Sequence, residues 1–252
     1  MTIEREVTIA GQTYPVILSD ENEALQAAKA AGRAIVGLWR ENEEKQPADY
    51  SSCLYLITDP EDADETFLER VVRRHLALPW LIAETDRLII REFSQDDPLE
   101  PASAEDADGT FSDWNKREEY RKHQYRFAEC GLWALERRAD GVLVGKAGLT
   151  DGELGYHIYE PFRRQGYALE ACRAIVKYGF ETLELDKIRI CTKRSNTASR
   201  YWRKKWNSFR YLHPARILLY FVCKKDIIAC IQNNEKIQSS VITLRDDGRN
   251  DR

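Results

Sequence analysis

Apolar and polar residues along the first eighty positions follow an alternating strand and helix pattern. Residues 6 to 18 read as two strands around the turn Ala10-Gly11-Gln12, the second running from Tyr14 to Leu18. Ser19 or Asp20 is expected to cap the helix that follows, because a side-chain oxygen accepts from the open amides of a first turn. That helix carries Ala24, Leu25, Ala27, Ala28 and Ala31 and stops at Gly32, a residue suited to a helix end. Ala34 to Trp39 reads as a buried strand, Arg40 to Ser51 as a polar loop and Leu54 to Thr58 as another strand. Pro60 to His75 is predicted helical, with Phe67, Leu68, Val71 and Val72 on one face, and Asp59-Pro-Glu-Asp62 as its cap. Strands alternating with helices predict a small open α/β unit.

Ala77-Leu-Pro-Trp80 closes that unit, and a new pattern starts at Thr85. Leu88 to Arg91 is a predicted strand, and Ser94 to Gly109, rich in Pro and Asp, a loop. Phe111 to Cys130 is charged and helical. Three strands follow, Leu132 to Arg137, Leu143 to Leu149 and Glu153 to Tyr159, joined by tight turns at Ala139-Asp140-Gly141 and Asp151-Gly152. Ala168 to Leu183 has a helical apolar face of Leu169, Cys172, Ile175, Val176, Phe180 and Leu183. Lys187 to Thr192 is a strand, Asn196 to Trp206 a basic helix, and Arg216 to Cys223 a last apolar strand. From Gln232 onward the chain is polar, and a frayed tail is expected.

Composition narrows the class. The 252 residues are 43% hydrophobic and 32% charged, and mean hydropathy is −0.56. There is no run of about 18 apolar residues, so no membrane span is expected. Met1 to Glu6 is charged and lacks an apolar signal core, which predicts a cytoplasmic protein. The six cysteines form no Cys-x-x-Cys pair and the four histidines show no metal spacing, so neither disulfides nor a metal site are expected. The net charge of −4 is unevenly spread. Residues 92 to 108 are acidic, through Glu92, Asp96, Asp97, Glu100, Glu105, Asp106 and Asp108. They read as a solvated loop or as an attractor for a cationic amine. Residues 187 to 225 are basic and suit a polyanion or the phosphates of a nucleotide cofactor.

The most informative segment runs from Glu153 through Arg163-Arg164-Gln165-Gly166-Tyr167-Ala168. A strand leads into a short basic loop that opens directly onto a helix. Helix N-termini present unpaired amides and the positive end of a dipole, so this junction favours a phosphate. Gly166 permits close approach or a positive φ, Ala168 keeps the first turn small, and Arg163 and Arg164 add charged donors.

Arg163-x-x-Gly166-x-Ala168 after Glu153-Leu-Gly-Tyr156 resembles the acyl-CoA loop of the GNAT superfamily of N-acetyltransferases, closest in flavour to its RimJ/RimL-like branch. Leu88-Ile-Ile-Arg91-Glu is similar to the family's opening strand and Val144-Gly-Lys-Ala-Gly-Leu149 to its third. Ala171 to Phe180 resembles the helix behind the loop, and Asn196-Thr-Ala-Ser199 the start of the next. The resemblance implies a fold of α/β (α+β) class: a mixed, mostly antiparallel sheet with splayed central strands, preceded by a small α/β domain. It divides the chain into residues 1–80, a transferase domain over 86–222 and a polar tail over 223–252. It also implies acetyl-CoA as cosubstrate. The pyrophosphate would rest on the amides of Arg163, Arg164, Gln165, Gly166, Tyr167 and Ala168. The pantetheine arm would pair along the backbone at Ile158, and Asn196 would contact that arm.

Direct attack of an amine on the thioester asks for an amine proton acceptor, and Glu153 is the candidate base by its place on the fourth strand. Two departures from the family stand out. Arg203 occupies the place of a tyrosine that serves many members as acid, and Lys205-Trp-Asn-Ser-Phe209 replaces the usual Lys-x-Gly-Phe. Residues 1–80 weakly resemble part of a HAD-type hydrolase-like fold without its Asp-x-Asp signature. Three functions are therefore weighed. The first is acetyl transfer to a primary amine, on a small molecule or a peptide or protein N-terminus. The second is a catalytically impaired acyl-CoA-binding sensor. The third, weighted least, is nucleic-acid binding through residues 187–225 with Tyr201, Trp202 and Trp206. No membrane partner is expected, and a homodimer is left open.

Overall fold

A computed structural model describes residues 1–40, 49–101, 108–193, 209–212 and 218–224. Its contacts divide the chain into two compact units, one of Met1–Thr150 with Gly155–Ile175, the other of Asp151–Leu154 with Val176–Arg252.

The first unit contains a four-stranded sheet. Strands β1 (Thr2–Ile9) and β2 (Gln12–Ser19) pair antiparallel from Thr2↔Ser19 to Ile9↔Gln12. Their two-residue turn puts Ala10 and Gly11 at φ of 50° and 82°, the doubly left-handed turn that matches strand twist. Helix α1 (Asn22–Ala30) ends at Gly32, whose φ is +69°. Strand β3 (Ala34–Leu38) pairs parallel to β2, and β4 (Leu56–Ile57) parallel to β3. Helix α2 (Glu65–His75) lays Leu68, Val71 and Val72 into a core with Val16, Leu18, Val36 and Leu38.

Three local expectations change here. Neither Ser19 nor Asp20 caps α1. Ser19 Oγ accepts the amide of Glu21 at 3.0 Å, before the helix, and Asp20 pairs with the N-terminal ammonium. The predicted helix 60–75 is broken in two, because two aspartates each cap a turn. Asp59 accepts from Glu61 over the 3₁₀ turn Pro60–Asp62, and Asp64 accepts from Phe67 at 2.7 Å over α2. Strand β4 keeps only two residues of the five expected.

The second sheet of this unit begins with β5 (Leu81–Glu84), a strand the sequence pattern did not reveal, antiparallel to β6 (Leu88–Arg91). Strand β6 pairs antiparallel with β7 (Gly131–Arg137), and β7 with β8 (Leu143–Thr150). Strand β9 (Glu153–Ile158) lies beside β8, with the amide of Tyr159 on the carbonyl of Val144 at 3.0 Å. Gly145 and Gly148 are dictated by backbone approach. A Cβ on Gly145 would strike the carbonyl of His157, and one on Gly148 the carbonyl of Gly131.

The helix predicted over 111–130 is shorter and changes pitch. Helix α3 (Trp114–Tyr120) runs directly into a π-helical turn, Arg121–Phe127. In π geometry residues five apart align. Tyr120 and Tyr125, with ring centroids 5.5 Å apart, then both reach Leu132: Tyr120 Oη accepts its amide at 2.6 Å, and Tyr125 Oη donates to its carbonyl. Helix α4 (Tyr167–Glu181) buries Ala171, Cys172 and Ile175.

In the second unit, β10 (Lys187–Lys193) pairs parallel with the start of β9 at one position, Arg189↔Glu153. Strand β12 (Leu218–Lys224) pairs antiparallel with β10 over seven positions, and β11 (Phe209–Leu212) pairs antiparallel with β12. The result is the expected mixed α/β fold, mostly antiparallel, with a minimal parallel contact between β9 and β10. Among the described residues no helix is long and apolar enough to cross a membrane. The predicted basic helix 196–206, including Asn196 and Arg203, lies outside the described residues.

Candidate functional site

The loop between β9 and α4 is short because three devices bend it. The turn Glu160–Phe162 starts on a proline-containing 3₁₀ segment. Arg164 and Gly166 then take φ of 64° and 86°. Gly166 accepts the amides of Leu169 and Glu170, at 3.1 and 3.2 Å, and so closes the first turn of α4. Among the described residues, the main-chain amides of residues 164–168 have no hydrogen-bond acceptor. A row of open amides at the head of a 15-residue helix is an electropositive cradle for an anion.

The individual side chains divide the work differently from the sequence expectation. Arg163 donates through Nε to the carbonyl of Ile158 at 2.8 Å, which pulls the loop back onto its own strand. Arg164, Gln165 and Gly166 are exposed, and Gln165 Nε2 holds the carbonyl of Pro161 at 3.1 Å. Tyr167 is only 6% exposed, so its ring is an anchor, and only its amide belongs to the cradle. Ala168 is half-buried and Ile158 buried. Glu153, the candidate base, is the exposed first residue of β9.

The sequence did not signal the clamp that fixes this loop. Arg87 places its guanidinium 4.5 Å from the Tyr167 ring centre, donates to the carbonyl of Gln165 at 3.0 Å and pairs with Glu170 at 2.6 Å. Glu170 also accepts from Thr85 Oγ1 at 2.6 Å and from the amide of Arg87 at 2.9 Å. Burial works to raise the Glu170 carboxyl, but the bonds from Thr85 and Arg87 outweigh it and leave it below its ordinary value. A Cβ on Gly166 would meet Arg87 Nη2 at 3.4 Å. These contacts join residues about eighty positions apart, and no local pattern announces them.

Three acids of the stretch expected to be solvated, Glu92, Asp97 and Glu100, are consumed by ion pairs, while Asp96 and Asp108 are exposed. Glu92 and Arg74 form a two-pronged pair at 2.5 and 2.7 Å, with side chains 4% and 7% exposed. Asp97 holds both terminal nitrogens of Arg91 at 2.8 Å. Glu100 accepts from Lys146 Nζ at 2.7 Å and from Tyr159 Oη at 2.6 Å. Lys146 Nζ also sits 3.8 Å from the centre of the Phe111 ring. Burial, and then the Glu100 bond, hold the Tyr159 hydroxyl well above the ordinary phenol range. Glu92, Asp97 and Glu100 are thus structural partners of cations in the chain, and not a free lure for a cationic amine. Glu105 and Asp106 lie outside the described residues.

A mixed sheet with one parallel step, followed by a basic turn and a helix headed by open amides, defines an acetyltransferase architecture. The chain belongs to the acetyltransferase (GNAT) domain family, whose model matches residues 58–205, more than half of its length. It is 37% identical over 68 residues to YdaF of Bacillus subtilis, provisionally named a ribosomal N-acetyltransferase. That match covers 24% of this chain and 37% of YdaF. It is 28% identical over 145 residues to YoaA of the same organism, an uncharacterized N-acetyltransferase, covering 47% of this chain and 77% of YoaA. Among solved structures, an acetyltransferase from Agrobacterium tumefaciens aligns with a TM-score of 0.45 at 20% identity, covering 57% of this chain and 94% of that one. A GNAT-family acetyltransferase from Bacillus anthracis aligns at 0.43 and 20% identity, covering 58% and 99%.

Proposed function

We propose that the chain is an acetyl-CoA-dependent N-acetyltransferase that passes the acetyl group to a primary amine by direct attack in a ternary complex. The observation that carries this reading is the set of open amides at residues 164–168, at the head of α4. The donor set fits the cosubstrate: a diphosphate needs several convergent N–H groups, and a glycine at φ +86° lets it come close. Acetyl-CoA supplies the activated thioester.

The chain's own residues supply binding and orientation. Arg164, exposed beside the amides, adds positive charge. Arg87 and Glu170 keep the loop curved from behind. The backbone near Ile158 lies along the strand where the acyl arm would pair, and an amide there would steady the carbonyl oxygen as charge develops on it. Glu153 is the candidate base by the family resemblance alone. Asn196, by the family resemblance, contacts the arm.

In this reading residues 1–80 form a small α/β domain without a second activity, 86–222 the transferase domain and 223–252 a tail. The provisional name of YdaF favours an amine of a ribosomal protein as acceptor over a small amine. A non-catalytic acyl-CoA sensor is the second reading, favoured by Arg203 in place of the family's tyrosine.

The test pairs binding with turnover. Acetyl-CoA at about 100 times its Kd should stabilise the native protein by about 2.7 kcal/mol, read as a rise in Tm. Gly166→Glu should abolish that rise by placing a carboxylate among the amides. Release of free thiol with an amine and peptide panel, slowed by Glu153→Gln, would establish transfer. Binding without thiol release would establish the sensor, and the absence of any Tm shift would remove both.

A further inference from the structure

A cavity of about 340 Å³ opens in the first unit, between β3, the approach to β4, α2 and the π-helical turn. That volume lies within the range of small-molecule sites. One wall is apolar, from Ile35, Leu54, Val71 and the ring of Tyr55. Apart from Ser52 and His75, the rest of the lining is cationic: Lys29, Arg33, Arg74 and Arg126. No acidic residue lines it among the described residues. Arg74 is neutralised by Glu92, and Arg33 has only Glu4 at 3.6 Å, an exposed pair. Lys29 and Arg126 have no ion-pair partner among the described residues.

The surrounding construction is rigid where a plain surface would need no rigidity. Arg126 is carried by the π-helical turn, a geometry common at functional sites. Glu129, just behind it, takes a left-handed φ of 51° and is fixed by Tyr55 Oη and Arg70 Nη1, both at 2.6 Å. Backbone held in a sparsely populated region persists only when its surroundings over-determine it. Like charges gathered around a partly enclosed space repel one another, and an anion relieves that repulsion.

We infer that this cavity binds a small organic phosphate, its anionic group held by Lys29 and Arg126 and its apolar body resting on Tyr55, Ile35 and Leu54. The site is separate from the acyl-CoA loop and does not depend on the transferase reading.

Phenyl phosphate is a suitable probe because it joins a dianion to an apolar ring and shares nothing with coenzyme A beyond phosphate. Calorimetric titration of the full chain at low ionic strength should show one site, with phenyl phosphate binding more tightly than inorganic phosphate and benzyl alcohol not binding. The double variant Lys29→Glu/Arg126→Glu should weaken binding by about tenfold or more. Both substituted residues are exposed, so the fold should survive, and circular dichroism checks that it does. Lys177→Glu, a charge reversal at an exposed site on α4, should leave binding unchanged, as should Gly166→Glu. Absence of phenyl phosphate binding, equal binding by the double variant, or loss of binding in Gly166→Glu would each overturn the assignment.

Discussion

Single side chains decide more here through burial than through chemistry of their own. Glu92 is the clearest case. It holds Arg74 with both oxygens and also accepts the amide of Trp80 at 3.0 Å. Breaking one member of a buried pair leaves an uncompensated charge, so Glu92→Ala should destabilise the protein by about 3–5 kcal/mol in urea unfolding. The double variant Arg74→Met/Glu92→Met should recover part of that loss, because it leaves no charge stranded. A cost below about 1 kcal/mol for Glu92→Ala would show that the pair is wet and weakly held. Glu92 is visible in the sequence only as one acid of an acidic stretch. Its partner lies eighteen residues away on α2, and the choice between solvated and buried is made there. The same holds for Glu100, whose partners are Lys146 on β8 and Tyr159 just after β9.

Among the elements, α4 and its loop were the most legible. Arg163-x-x-Gly166-x-Ala168 is contiguous, and the backbone conformation it needs is local, so the junction and the helix stand close to where the sequence put them. The clamp on that helix was not legible, since Thr85 and Arg87 reach Glu170 from β6's approach. The clamp also carries a pH dependence. The folded-state Glu170 carboxyl lies below its ordinary value of 4.5. Its contribution to stability is therefore complete above that pH and is lost as pH falls through the depressed folded value. Urea midpoints should drop between about pH 6.5 and about pH 3.5, and Glu170→Gln should lower the midpoint at the upper pH while flattening the slope. An identical slope in the variant would place the acid sensitivity elsewhere. At α3 the helical pattern was right in type and wrong in pitch. The switch to π geometry is set by two tyrosines gripping Leu132, a contact that no period of apolar residues encodes.

At the scale of the whole molecule, the family match begins at residue 58, inside the segment that follows the first sheet. Helix α2 falls within the match, yet its apolar face of Leu68, Val71 and Val72 packs on β2 and β3. Deleting residues 1–57 would therefore strip the cover from that face, and we expect the truncated chain to lose more than about 5 °C in Tm or to aggregate. An unchanged Tm would mean that the two sheets of the first unit are stable independently.

The alternation of strands and helices, the glycine-bearing turns and the basic turn before α4 could be read from residue order alone, because each depends on neighbours within a few positions. Strand order, the burial of Glu92, Asp97 and Glu100, the clamp from Arg87 and the walls of the basic cavity required the folded chain. They join residues far apart in sequence, and a charged side chain reveals whether it is solvated or paired only once its distant neighbour has been brought beside it.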